Sequence, residues 1–311
     1  MRTTADSVVD KLMQRVILIF LVVLSCNAML LGIQDKVTAH AEAVVLPFTL
    51  TEHNNIVVHV VINETDTLQL MLHTASRGVT ITEEAAQKAR SIQFSDASKV
   101  QSWGGEAVSR ISKGNQVHLG PIKAKNITIW ENKHSGKGTD GKIGLDLLAR
   151  NIVEIDFDRS QIVLHEKLPR KAEKYERLKI DNQDGQLLIE GKCELEGKSY
   201  TNPFLLHTGY SGGILLDDAF AARTGVEARI RITEHSSLKD SFGNTIQVKK
   251  GILPVFTLGR NQLNEVPVGF FTGVVGKQKL SVLGAEVIKR LNLIFDLAKN
   301  ELYIDRRPSS P

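Results

Sequence analysis

Apolar residues along this chain fall into short runs, several of them alternating with polar ones, and Gly, Asn and Asp separate the runs. Residues 56–62 (IVVHVVI), 116–119, 152–157 and 161–164 are rich in β-branched side chains and read as strands. Residues 187–195, 246–248, 293–296 and 301–304 repeat that series further along. Helical patterning is confined to four short stretches, 83–90, 145–150, 217–224 and 285–291. The first and third carry acidic residues in their opening turn, where the helix dipole favours them. The pattern predicts a β protein with a few short helices.

The two series are copies of one unit. Placing His73 on His207, an offset of 134, also matches Thr74 with Thr208, Gly78 with Gly212 and Ala85 with Ala219. At an offset of 139, Gly104 meets Gly243 and Leu119-Gly120 meets Leu258-Gly259. At 140, Ile143-Gly144 meets Leu283-Gly284, Arg150 meets Arg290 and Asp156 meets Asp296. Register held over three blocks with about six residues inserted indicates an internal duplication. The expected organisation is a first lobe over 42–166, a charged linker over 167–177 (KLPRKAEKYER) and a second lobe over 178–307.

Composition narrows the setting. A chain of 311 residues with 42% apolar content can bury a large core. Its net charge of +4 is mild and its basic residues are scattered, which argues against nucleic acid as a partner. Residues 1–41 read as a signal peptide or an N-terminal membrane anchor. Arg2, Lys11 and Arg15 precede the apolar run 16–24, and Ala39-His40-Ala41 offers a small-x-small cleavage site. The body of the protein is therefore expected to be exported, either secreted or periplasmic, or tethered to the membrane by that segment. Cys26 and Cys193 are the two cysteines, and with Cys26 in the leader no intramolecular disulfide can form in the remainder. Cys193 lies in an alternating strand pattern and reads as a structural thiol.

The candidate chemistry sits in the duplicated loops LQLMLHTASRGVTIT (68–82) and NPFLLHTGYSGGILL (202–216). Each is an apolar strand, His-Thr-Ala/Gly, a small or polar turn, and a second apolar strand. This resembles the Asp-Thr-Gly-Ala-Ser loop of retropepsin-like and pepsin-like aspartic proteases, present twice, with His in place of Asp both times. The segment 140–148 followed by 153–158, and Val282-Leu283-Gly284 with the strands after it, resemble the apolar-apolar-Gly element and closing strands of retropepsin-like lobes. Trp103-Gly104 and Phe242-Gly243 stand where such lobes carry flap glycines. The resemblance implies a two-lobed, internally duplicated β-barrel fold with a cleft between the lobes. His73 and His207 would occupy the catalytic dyad positions on its floor. Thr74 and Thr208 would brace the paired loops, Ser76 would match the loop serine, and Gly209 would keep the family's loop glycine. Binding positions would be Thr74, Ser76, Thr208, Gly209, Trp103, Gly104, Phe242 and Gly243.

Histidine changes what such a site can do. Two close carboxylates share one proton, and this pair activates water in the acid proteases. Two imidazoles are neutral or cationic instead, and protonating one disfavours protonating the other. Acid is expected to charge both rings and leave no base, so any activity should need a neutral His and rise from about pH 6 upward. Three readings follow: a pseudoprotease that binds an extended peptide or protein segment in the cleft, a hydrolase that uses the histidine pair, or a metal site, zinc for example, held by His73 and His207. No HExxH spacing, nucleophile elbow or phosphate loop occurs elsewhere.

Overall fold

A computed structural model describes residues 43–102, 105–272 and 278–308. The leader reading for 1–41, Cys26, and the flap positions Trp103 and Gly104 lie outside the described residues. Among the described residues no helix is long and apolar enough to cross a membrane.

Three sheets form the molecule. The first has eight strands, and its centre holds Ile56–Ile62, Asp66–His73, Gly141–Gly144, Val79–Thr82 and Ile122–Asn132 in that order. A further pairing of Ile56–Ile62 with Gly105–Leu119 bends this sheet back on itself. The second eight-stranded sheet repeats the plan with Gln186–Leu195, Lys198–His207, Ser281–Gly284, Ile214–Leu216 and Asn261–Thr272. It too is closed by an additional pairing, between Gln186–Leu195 and Thr245–Leu258. The duplication visible in the sequence is therefore a duplication of topology.

The third sheet joins the halves. Its six strands come three from each copy and meet where Ile152–Asp156 pairs antiparallel with Leu291–Asp296. Val153, Ile155, Leu293 and Phe295 are buried there at 1% exposure or less, in the same hydrophobic core that fills both halves. The charged segment 167–177 is built into this layer. It holds a 3-10 turn, Arg170–Lys174, and the start of the edge strand Glu176–Lys179. Ala172 is buried against Ile294 and Tyr303, so the alternation of small or aromatic residues with charges is that of a half-covered edge.

The sequence pattern located most strands and understated two. Residues 116–119 are the end of a 15-residue strand, Gly105–Leu119, and 246–248 belong to Thr245–Leu258. Both are arms of long hairpins, with Asp96–Ser102 and Arg231–Lys239 as their partners. One side of these arms faces solvent, so polar residues dilute the apolar run. The helices Glu83–Lys88 and Asp218–Thr224 begin at Thr82 and Asp217, whose side chains accept the backbone N–H of Ala85 and Phe220. Cys193 is fully buried and burial pushes its thiol up to about 12.

Candidate functional site

His73 ends one strand, Asp66–His73, and His207 ends its counterpart, Lys198–His207. Strand alternation decides where they point. Leu70, Leu72, Phe204 and Leu206 enter the core, so Met71, His73, Leu205 and His207 take the opposite faces. Beside each runs an inserted strand. Gly141–Gly144 is parallel to Asp66–His73 and antiparallel to Val79–Thr82. Ser281–Gly284 does the same between Lys198–His207 and Ile214–Leu216. Glycine is required where this strand passes the turn, because a Cβ on Gly284 would lie 2.2 Å from the Gly212 carbonyl oxygen.

Two threonines lock the loops together. The Thr74 N–H donates to Thr208 Oγ1 at 3.0 Å, and the Thr208 N–H donates to Thr74 Oγ1 at 3.1 Å. The Thr74 hydroxyl donates to the Leu206 carbonyl at 2.7 Å, and the Thr208 hydroxyl to the Leu72 carbonyl at 2.6 Å. All four bonds cross between the halves. With both side chains at 2% exposure or less, each bond is worth about 1 kcal/mol and each orphaned group would cost about 1–3 kcal/mol. Bonds from the first half to the second reinforce the junction: Asn54 donates to the Ser211 carbonyl and to Glu286, and accepts from Lys289.

This brace brings the histidine rings together, with centroids 4.6 Å apart and planes inclined at 57°. That is contact distance for a tilted aromatic pair. His73 Nδ1 accepts the Ala75 N–H at 3.2 Å, so in the neutral ring the proton resides on Nε2. The Nε2 edge lies over Gly209, where an added Cβ would stand 2.3 Å from the ring. Gly209 therefore makes room for the larger side chain opposite.

Both rings are held neutral. Burial is the main cause for His73, with repulsion from His207 and Lys142 behind it, and its pKa falls well below the ordinary histidine value. His207 falls to about 4, again through burial first and Lys142 second. The charging of both rings expected in acid is moved to lower pH, since desolvation disfavours the imidazolium and draws His207 down to about 4.

Lys142 is the residue that motif reasoning passed over. It pairs with Met71 on one side and Thr80 on the other, on the face that carries His73. Its neighbour Ile143 points into the core. Burial pulls the Lys142 ammonium down to about 8. The available signal was the second copy, where Val282 holds the same place and a charge is absent. Zinc does not fit these residues: two imidazoles face a cation, and among the described residues no group of three His, Cys, Asp or Glu could hold a metal ion.

Ser76 donates its N–H to the His73 carbonyl, and Tyr210 repeats that turn on His207. Thr74 and Ser76 also line a cavity of about 270 Å³ shared with Arg77, Asp146, Gly185 and Leu187. Phe242 and Gly243 form the tip of the second hairpin, where Asp240 accepts the N–H groups of Phe242 and Asn244. Gly243 has φ +93°, and a Cβ there would lie 3.5 Å from His134 Nε2. The His134 N–H donates to the Ser241 carbonyl at 2.9 Å, which clasps the hairpin of the second half onto a loop of the first.

With this geometry in view, the comparisons with known proteins are informative. Residues 58–147 match the family model described as aspartyl protease, a stretch that contains His73 and Lys142. Among solved structures, the aspartic proteinase from Irpex lacteus aligns with a TM-score of 0.56 over 86% of this chain and 98% of that one, at 13% identity. The fold is aspartic-protease-like. No curated protein is significantly similar in sequence. In this aspartic-protease-like chain the two loop ends carry imidazoles in mutual contact, braced by a four-bond threonine exchange.

Proposed function

We propose that this protein is a disarmed aspartic-protease-like protein whose inter-lobe cleft holds an extended peptide or protein segment. The observation that carries this reading is the contact between the His73 and His207 rings at the ends of threonine-braced loops. A shared carboxylate proton, the source of water activation in acid proteases, has no counterpart in two neutral imidazoles. The aspartic-protease-like fold is kept all the same. Each half carries a long hairpin, and the tip of the second is clasped onto a loop of the first half.

The deciding experiment combines a peptide-pool cleavage screen from pH 3 to 8 with binding of the same pools. Binding without turnover is the expected result, and His73→Asp with His207→Asp should restore acid-dependent cleavage. Robust cleavage by the unmodified chain at pH 3–4 would overturn the proposal. Cleavage that rises from about pH 4 and is lost in His207→Ala would instead favour a hydrolase that uses the histidine pair. That second reading draws on the persistence of neutral imidazole down to about pH 4.

A further inference from the structure

Each half rests one turn against the histidine loop of the other, and the two seams are closed differently. In the second seam Asn54, at φ +63°, donates its side-chain amide to the Ser211 carbonyl and to Glu286 and accepts from Lys289. Glu286 is also paired with Lys289 and Arg290. In the first seam strand register puts Gly185 where Asn54 stands, since Leu188 faces Leu205 as Val57 faces Met71. Gly185 keeps the turn, at φ +89°, but brings no side chain to fill it. The offsets of the repeat put Arg77 in place of Ser211, Asp146 in place of Glu286 and Ala149 in place of Lys289. What remains is a cavity of about 270 Å³ between the halves, with these four residues in its lining.

The lining narrows the occupant. The Asp146 carboxylate accepts the Gly78 N–H but has lost the cation that its counterpart Glu286 finds in Lys289. Arg77 brings a guanidinium where the second seam has a serine, and among the described residues neither Arg77 nor Asp146 makes an ion pair. Asp184 adds a second carboxylate at the tip of the turn. Leu145, Leu187 and Leu297 make the rest of the wall apolar. A ligand that completes this seam as Asn54 and Lys289 complete the other needs an ammonium for Asp146, a carboxylate for Arg77 and an apolar body. We propose that the cavity binds a free aliphatic α-amino acid, its carboxylate on the Arg77 guanidinium and its side chain against the three leucines. At about 30 Å³ per water the space equals about nine waters, room for one such molecule and not for a peptide. The site is independent of the peptide-binding reading, although Thr74 and Ser76 of the first loop also line it.

Calorimetric titration of the intact protein with L-leucine, isovalerate and isoamylamine tests the inference. L-Leucine should bind, and each analogue, which lacks one of the two charges, should bind at least about tenfold more weakly. Gly185→Asn rebuilds the Asn54 arrangement at a positive φ that Asn tolerates better than most side chains, and should abolish binding. Arg77→Met should weaken L-leucine at least about tenfold and leave isoamylamine unchanged, with circular dichroism to confirm that each variant is folded. If Gly185→Asn does not fold, Arg77→Met and Asp184→Asn carry the test through their effect on L-leucine. No binding of L-leucine up to millimolar concentration would overturn the proposal. Isovalerate bound as tightly as L-leucine would overturn the zwitterion, and L-leucine bound undiminished by folded Gly185→Asn and Arg77→Met would overturn the location.

Discussion

At the position where the first half carries Lys142 the second carries Val282, and around them Met71 and Thr80 stand opposite Leu205 and Leu215. The backbone pairings are the same, strand for strand. The first floor is half-polar and keeps a charge. The second is a sealed apolar cluster, with Leu215 and Val282 at 1% exposure or less, packed under Leu238 and Phe271. Duplication preserved what the fold needs, namely the glycines at close approaches and the threonine exchange. It left the side chains on these faces free to diverge, because the hydrogen-bonded register does not depend on them. The pair of histidines is the exception, alike in both halves although it lies on those faces.

Moving the charge to the other floor is the strongest test of this contrast. Val282→Lys should lower stability by about 3–5 kcal/mol, because it buries an ammonium where no acid is available. A change in urea midpoint equivalent to less than about 1 kcal/mol would mean that the second floor is as open as the first. The threonine exchange should show the opposite, symmetry. Thr74→Val and Thr208→Val each strand a buried N–H and a buried carbonyl, and each should cost about 2–4 kcal/mol. Unequal losses in chemical denaturation would show that the two loops are not equivalent braces.

Gly209 and Ala75 sharpen the comparison at the rings. Gly209→Ala drives a Cβ into the His73 imidazole and should cost roughly 1–3 kcal/mol, whereas Ala75→Gly should cost less than about 1 kcal/mol. In a His73→Ala background the Gly209→Ala penalty should largely vanish, which a double-mutant cycle reads directly. A penalty that persists there would place its origin in the backbone.

Protonation tests the ring pair in a different way. The folded-state pKa of each histidine lies below its unfolded value, so between about pH 6.5 and 4 the unfolded chain binds more protons. Stability should therefore fall as the solution is acidified through that window, by up to about 1.4 kcal/mol per pH unit for each histidine, and His207→Asn should flatten the slope. Lys142→Met should raise the His207 pKa by removing a repelling charge, and should stabilise the protein by roughly 1 kcal/mol. Histidine titration by NMR checks the first effect and thermal unfolding the second. An unmoved His207 resonance would show that Lys142 does not face the pair.

Much of this was legible in one dimension. The hydrophobic period and the repeated blocks gave the strands, the duplication and the two loops, because alternation and glycine placement follow from local backbone geometry. The helices after each loop were readable from the acidic residues of their first turn, while the side-chain acceptors of Thr82 and Asp217 emerged only in the structure. Hairpin arms were understated because half of their residues face water. Lys142 was missed because nothing local marks a lysine in a strand as facing a cleft.

The sequence by itself determined that His73 and His207 occupy equivalent places in two copies of one unit, each followed by threonine. Only the tertiary structure decided that the threonines exchange four hydrogen bonds, that the ring centroids lie 4.6 Å apart and that the Lys142 charge opposes protonation of both rings. The reason is physical. Repeats and periodicity record constraints between neighbours along the chain, while the charge state of an imidazole depends on how much water is removed from it and which cation is brought near. Those quantities exist only once strands 134 residues apart have been placed side by side.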